Sequence, residues 1–292
     1  MIELDTIHHT DLLTLCGMCE PQSIDMILCD LPYGTTACSW DEIIPFEPMW
    51  AAFKRVIKPR GAIVLTASQP FTSKLVMSNV NTYRHRWAWD KDNSAGFALA
   101  NIRPFDVIED VLVFGLNAVN YYPILETRGN PRLKGGYSAS DVYGLVPSKS
   151  KSNTYYPKNL IRFGNAVQIG KTHPTQKPVA LFEYLIRTYT REGELVLDPC
   201  VGSGTTAYAA RSVNRHWICG DKKLKYVEIA RKRMAEPYNP RLFDLDVAPV
   251  SYDKTDKVRP NSQLSLPLDG YQNPERAYGA RAMGRRVGVE VE

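Results

Sequence analysis

The chain has 292 residues, 44% of them hydrophobic and 10% aromatic, with a net charge of +5. That is enough for one large globular α/β domain with a substantial core, or a core domain with additions. No apolar run reaches the roughly 20 residues of a membrane helix, and the start MIELDTIHHTD lacks the basic and apolar segments of a signal peptide, so a soluble cytoplasmic protein is expected.

Taken in chain order, Thr6 to His9 is a short strand candidate and Asp11 follows it. His8 and His9, like His173 later, have no spaced acid or cysteine partner and read as structural. Cys16-Gly-Met-Cys19 has the spacing of zinc or redox sites, but no second pair and no thioredoxin context accompany it. With Cys29, Cys38, Cys200 and Cys219 it is expected to supply ordinary reduced thiols. Ser23 to Cys29 is an apolar run ending at Asp30 and reads as a buried parallel strand. A helix is expected over Pro45 to Ile57, a strand over Ala62 to Thr66, and a helix over Phe71 to Met77. Strands follow over Arg84 to Trp89 and Val107 to Phe114. The alternation implies a mostly parallel sheet covered on both faces.

From Asn117 to about Gly170 the pattern breaks into Gly, Pro, Ser, Asn and Tyr, and an insertion with little regular structure is expected. Between 116 and 176 there are eight basic residues, Arg128, Arg132, Lys134, Lys149, Lys151, Lys158, Arg162 and Lys171, against Glu126 and Asp141. Such a surface suits a polyanion. Tyr121, Tyr122, Tyr137, Tyr143, Tyr155 and Tyr156 interleave with these bases.

Order returns at HPTQKP, residues 173 to 178, before a helix with Val179, Phe182, Leu185, Ile186 and Tyr189 on one face. Glu194 to Leu197 is a strand, and Asp198-Pro199-Cys200-Val201-Gly202-Ser203-Gly204-Thr205-Thr206 a glycine-rich turn into a helix. His216 to Cys219 is a further strand ending near Asp221, and Leu224 to Met234 a last helix. Beyond Glu236 prolines and polar residues dominate, so an irregular tail is expected.

Two constellations carry chemistry. Strand, glycine turn, helix, strand and then Asp221, 17 residues beyond Gly204, suit a nucleoside-bearing cofactor. The turn permits close approach, and the acid can accept from ribose hydroxyls. By itself this serves NAD or S-adenosylmethionine. The second constellation is Asp30-Leu31-Pro32-Tyr33 at a strand's C-terminal end, where a carboxylate can accept from an exocyclic amine and an aromatic ring can stack on a flat base.

Asp30-Leu31-Pro32-Tyr33 resembles the (D/N/S)PP(Y/F) motif of DNA amino-methyltransferases, which methylate adenine N6 or cytosine N4. Asp198 to Thr206 resembles their S-adenosylmethionine loop, and HPTQKP the segment before it. The order of catalytic motif, variable basic region and cofactor loop is similar to the β class. Leu31 departs from the motif's proline but keeps the backbone carbonyl that the family uses.

The resemblance implies an α/β, Rossmann-like methyltransferase fold with a mostly parallel seven-stranded sheet. It divides the chain into a catalytic half (1–115), a target-recognition insertion (116–172), a cofactor-binding half (173–235) and the tail (236–292). It implies S-adenosylmethionine as cofactor, held by Asp198, Pro199, Gly202, Ser203, Gly204, Thr205 and Asp221, with Lys177, Thr175 and Asp11 nearby. Double-stranded DNA is the implied partner, gripped through Arg128, Arg132, Lys134, Lys149, Lys151, Lys158 and Arg162, and a homodimer is expected. Catalysis falls to Asp30, Leu31, Pro32 and Tyr33, whose ring is expected to stack on a flipped base. An acid in the first position favours adenine N6 over cytosine N4. Pro199-Cys200 matches the nucleophile pair of cytosine C5 enzymes, but it sits in the cofactor loop while Asp30 holds the strand-end position. An RNA or protein-amide substrate keeps the same chemistry. An NAD-dependent oxidoreductase leaves DLPYG idle, and a non-catalytic nucleic-acid module leaves Asp30 and Tyr33 unexplained.

Overall fold

An uninterrupted apolar run such as MILC, residues 26 to 29, is stable only if both faces of its strand are covered. The computed structural model describes residues 2–34, 42–95, 101–134, 137–140, 144–147, 150–164 and 176–236. Its first part carries β1 (Thr6–His9), α1 (Leu12–Met18), β2 (Ile24–Asp30), α2 (Phe46–Val56), β3 (Ile57–Ala67), α3 (Phe71–Ser78), β4 (Tyr83–Ala95) and β5 (Asp106–Phe114). Next come β6 (Glu126–Lys134), β7 (Tyr137–Ser140), β8 (Gly144–Pro147), β9 (Ser150–Tyr155) and β10 (Leu160–Arg162). The last part holds α4 (Val179–Tyr189), β11 (Leu195–Asp198), α5 (Thr205–Ser212), β12 (His216–Asp221) and α6 (Leu224–Ala235). These elements belong to one unit, Met1–Ala248; a second unit, Pro249–Glu292, lies outside the described residues.

The main sheet runs β1-β12-β11-β2-β3-β5-β4-β10. All its pairings are parallel except those of β5, which runs against both β3 and β4. The sheet has one strand more than the expected seven; the eighth is β10, whose three residues pair with Ala88, Trp89 and Asp90 at the edge. A segment that short carries no readable periodicity. Along β2 the side chains alternate between two cores. Ile27 and Cys29 pack with Leu15 and Phe53, whereas Met26 and Leu28 pack with Phe182, Leu185 and Tyr189. The apolar stripe of α4 is buried as its spacing predicts. In α6, Val227 and Ala230 are buried but Leu224 is exposed.

The insertion has more regular structure than its composition predicts. β6 and β9 form one antiparallel ribbon and β7 and β8 a second. Pro131 falls inside the irregularity between Thr127 and Arg132, where a missing N–H is tolerated. The two ribbons lack the apolar alternation by which a half-buried strand is recognised.

A buried polar tie crosses the centre of the sheet. The Asp25 carboxylate accepts from Lys58 Nζ at 2.7 and 2.8 Å and from the Leu195 N–H at 3.0 Å, joining β2, β3 and β11. Asp25→Ala leaves a strand N–H unpaired and should lose about 1–3 kcal/mol. Lys58, with 43% of its side chain exposed, should lose under about 1 kcal/mol on truncation to Ala. Urea unfolding of the two variants measures that asymmetry.

Candidate active site

Parallel strands that end together deliver their last residues to one edge. Asp198 and Asp221 end β11 and β12, and Asp30 ends β2 on the other side of β11. Asp221 and Asp30 are thus two strand spacings apart, about 10 Å across the sheet. A cavity of about 260 Å³ lies along this edge.

The turn after β11 is built by its own side chains. Asp198 accepts from the Cys200 N–H at 3.0 Å and from Thr206 Oγ1. Its carboxyl is buried and pushed up to about 7, burial outweighing those hydrogen bonds. Gly202 has φ +51° and gives its N–H to Asp221 Oδ2 at 3.1 Å. Gly204 has φ +83°, and a Cβ there would meet the Ala230 Cβ at 3.1 Å, so both the backbone turn and the approach of α6 require glycine. Asp221 Oδ1 also accepts from the Lys223 N–H at 2.8 Å.

Most of the expected cofactor residues meet at the cavity: Asp11, Lys177, Asp198, Pro199, Gly202, Ser203, Thr205 and Asp221 all line it. Gly204 packs against α6 instead, and Thr175 lies outside the described residues. Asp11 caps α1, its carboxylate accepting from the Leu13 and Thr14 N–H groups at 2.9 and 3.1 Å and from Thr14 Oγ1 at 2.7 Å. The hydroxyl and amide of Thr14 hold it below the usual carboxylate range. Leu12, Phe182 and Tyr226, ordinary helix residues, also line the wall, as does Lys223 just before α6; none carries a sequence signal of it. Cys200 is a wall residue whose N–H supports the turn. Cys16 and Cys19 are buried free thiols, and burial pushes Cys16 up to about 12.

Asp30 and its neighbours Leu31 and Pro32 line the same cavity. Asp30 Oδ1 accepts from Tyr33 OH at 2.8 Å and from Thr66 Oγ1, and Lys177 Nζ lies 3.1 Å from it. Lys177 also meets Glu109 Oε1 at 2.6 Å, and Tyr33 OH lies 2.9 Å from that same oxygen. Lys91 approaches the other Glu109 oxygen at 3.8 Å. Burial works against the Lys177 charge, but the two carboxylates outweigh it and hold the ammonium well above the ordinary lysine range. Burial and the same carboxylates push the Tyr33 phenol up, so it stays protonated.

Tyr33 therefore differs from the expected open stacking platform. Its hydroxyl is drawn inward by three polar partners, and its ring stacks on Phe71 with centroids 5.2 Å apart. Thr66 and Glu109 are site residues that the sequence does not reveal. Each joins the site only through strand pairing, Thr66 opposite Asp30 and Glu109 beside Trp89.

The basic candidates scatter. Arg128, Arg132 and Lys134 fall in β6, Lys151 in β9, and Lys149 lies outside the described residues. Lys158 is exposed. Arg162 is exposed but paired with Asp90 at 2.9 and 3.0 Å.

Residues 24 to 232 match the family model described as DNA methylase. The chain is 29% identical over 236 residues to the type II methyltransferase M.HpaI of Haemophilus parainfluenzae, covering 75% of this chain and 71% of that protein. It is 26% identical over 280 residues to the DNA adenine methyltransferase YhdJ of Escherichia coli (strain K12), covering 90% and 93%. Among solved structures, its fold resembles the PvuII DNA methyltransferase (cytosine-N4-specific), with a TM-score of 0.57 at 18% identity over 80% of this chain and 87% of that one.

The environment of Asp198 has a measurable consequence. The unfolded chain ionises this group near 3.8 and the fold at about 7. Between these values the folded state binds more protons, so this group makes stability fall as pH rises. The Tm of Asp198→Asn relative to the parent should climb across that window. A constant difference from acid to neutral pH would contradict the burial argument.

Proposed function

The chain belongs to the DNA methylase family, and on that premise we propose that it transfers a methyl group from S-adenosylmethionine to the exocyclic amine of a base in double-stranded DNA. Adenine N6 is the preferred target, on the acid in the first motif position, and cytosine N4 the alternative. The observation that carries the reading is the shared cavity, in which Asp30 at the tip of β2 and the glycine turn after β11 form one wall.

An exocyclic amine is a poor nucleophile because its lone pair is delocalised into the ring. Acceptors on its two N–H bonds favour a pyramidal nitrogen and stabilise the charge that develops on it. Asp30 and the Leu31 carbonyl are assigned that task. The contacts of Tyr33, Thr66 and Lys177 all fall on Asp30 Oδ1, so Oδ2 is the oxygen assigned to the amine. A duplex base must flip out to reach it, and the part of the half-buried Tyr33 ring that Phe71 leaves uncovered is the aromatic surface beside which it would lodge.

The cavity suits the methyl donor. Its lining combines a strand-end carboxylate for ribose hydroxyls at Asp221, open space beside the side-chain-free Gly202, and apolar walls from Leu12 and Phe182. Asp11, Lys177, Ser203 and Thr205 complete the set, with Thr175 added on resemblance. When bound, S-adenosylmethionine supplies a methyl already activated by its sulfonium. The protein's remaining work is alignment and exclusion of water. The oxidoreductase alternative would leave Asp30 and its polar neighbours without a task.

Target recognition is assigned to residues 116–172, and homodimer assembly and a role beside a restriction nuclease belong to the same proposal. Incubation with labelled S-adenosylmethionine and mixed DNA should label the DNA, and nucleoside digestion then separates N6-methyladenine from N4-methylcytosine. Asp30→Ala should abolish transfer while the cofactor still binds in calorimetry. Charge reversal at Lys149 and Lys151 should weaken DNA binding and flatten its salt dependence by about one unit of slope for each phosphate that is no longer neutralised. An unchanged slope would remove these lysines from the interface.

A further inference from the structure

Lys177 brings a positive charge to the spot where methylation adds another. Its ammonium lies 3.1 Å from the Asp30 carboxylate, the group assigned to the target amine. If Asp30 alone balanced Lys177, its negative charge would be spent before the amine arrived. The like charge of the ammonium would then oppose the charge developing on the nitrogen.

Glu109 changes that balance. Its Oε1 lies 2.6 Å from the ammonium, closer than Asp30. The carboxylate is buried, so its attraction is little screened. The reversed direction of β5 brings Glu109, near its start, to the edge where the parallel strands finish. Tyr33 OH lies within hydrogen-bond reach of both carboxylates, at 2.8 and 2.9 Å, and its single proton can go to either.

We propose that Glu109 is a positioning residue for methyl transfer: it takes the Lys177 ammonium as its own partner and leaves the Asp30 carboxylate its charge for the target amine. This rests on the methyl-transfer reading above. Glu109 touches neither base nor donor; it acts through Lys177 and Tyr33.

The test is single-turnover methyl transfer at saturating S-adenosylmethionine and DNA. Glu109→Gln keeps the shape and loses the charge. Its rate should fall about 100-fold, the effect of removing one group from a preorganised electrostatic site, with cofactor affinity and Tm near those of the parent. The double variant Glu109→Gln with Lys177→Met removes both charges. It should be faster than Glu109→Gln alone, a rescue that a merely structural role does not produce.

The proposal is overturned if Glu109→Gln reacts at close to the parent rate. It is also overturned if the variant fails to fold, if its loss of rate only follows a loss of cofactor binding, or if the double variant is no faster. The parent protein in the same assay separates the two readings. Absence of any transfer by it sinks the methylation reading and this inference together, whereas normal parent transfer with an indifferent Glu109→Gln sinks only the inference.

Discussion

A buried ammonium between two carboxylates is the interaction on which the candidate site depends. Stripping water from a charge costs roughly several kcal/mol, and only close opposite charges and hydrogen bonds offset it. Lys177 meets that condition with Glu109 and Asp30 at 2.6 and 3.1 Å. The three residues come from a segment before α4, from β5 and from β2, remote in sequence. The ammonium could not be buried there without a carboxylate beside it, so the cluster helps to fix how these segments meet. Tyr33 and Thr66 complete it with hydroxyls, and the phenol remains a donor because its surroundings oppose ionisation.

Three aspartates end three strands at this edge, and their surroundings separate their tasks. Asp198 is enclosed by the turn it braces, and its carboxyl is raised to about 7 by burial. It is a structural strut of that turn. Asp221 accepts from two backbone N–H groups, which keeps the glycine turn and the start of α6 in register. Asp30 alone is surrounded by side-chain donors and an ammonium. One residue type at one kind of position thus serves three purposes, because desolvation and hydrogen bonding differ over a few ångströms.

The sequence is most legible where periodicity or turn chemistry is strong. β1, α2, α4 and α6 lie within a residue or so of their expected bounds, since an apolar stripe and its breakers are local features. The glycine turn is equally readable, because positive φ at Gly202 and Gly204 is a local demand. Thr66 and Glu109 are hidden for the opposite reason. Their relation to Asp30 is created by strand pairing and by the one reversed strand, and no spacing along the chain encodes it. The inward turn of Tyr33 is hidden in the same way, since it answers to partners on β3 and β5. The ribbons of the insertion escape notice because their strands lack apolar alternation, not because strands are absent.

The chain order of the motifs also has a spatial reason. Asp30 lies near the start of the chain and the glycine turn near residue 200, yet β2 and β11 are neighbours, with Met26 opposite Val196. To pass from β5 back to β11, the chain must return from the far half of the sheet to its middle. The insertion occupies that return and is fastened where it begins its way home. β10 adds itself to the free edge of β4, with Ile161 beside Trp89, and Arg162 pairs with Asp90 across the two strands. A segment tied to the sheet at its outer edge can change length and composition without disturbing the central strands. That is the freedom the proposed target-recognition role would need while Asp30, Glu109 and Lys177 stay where they are.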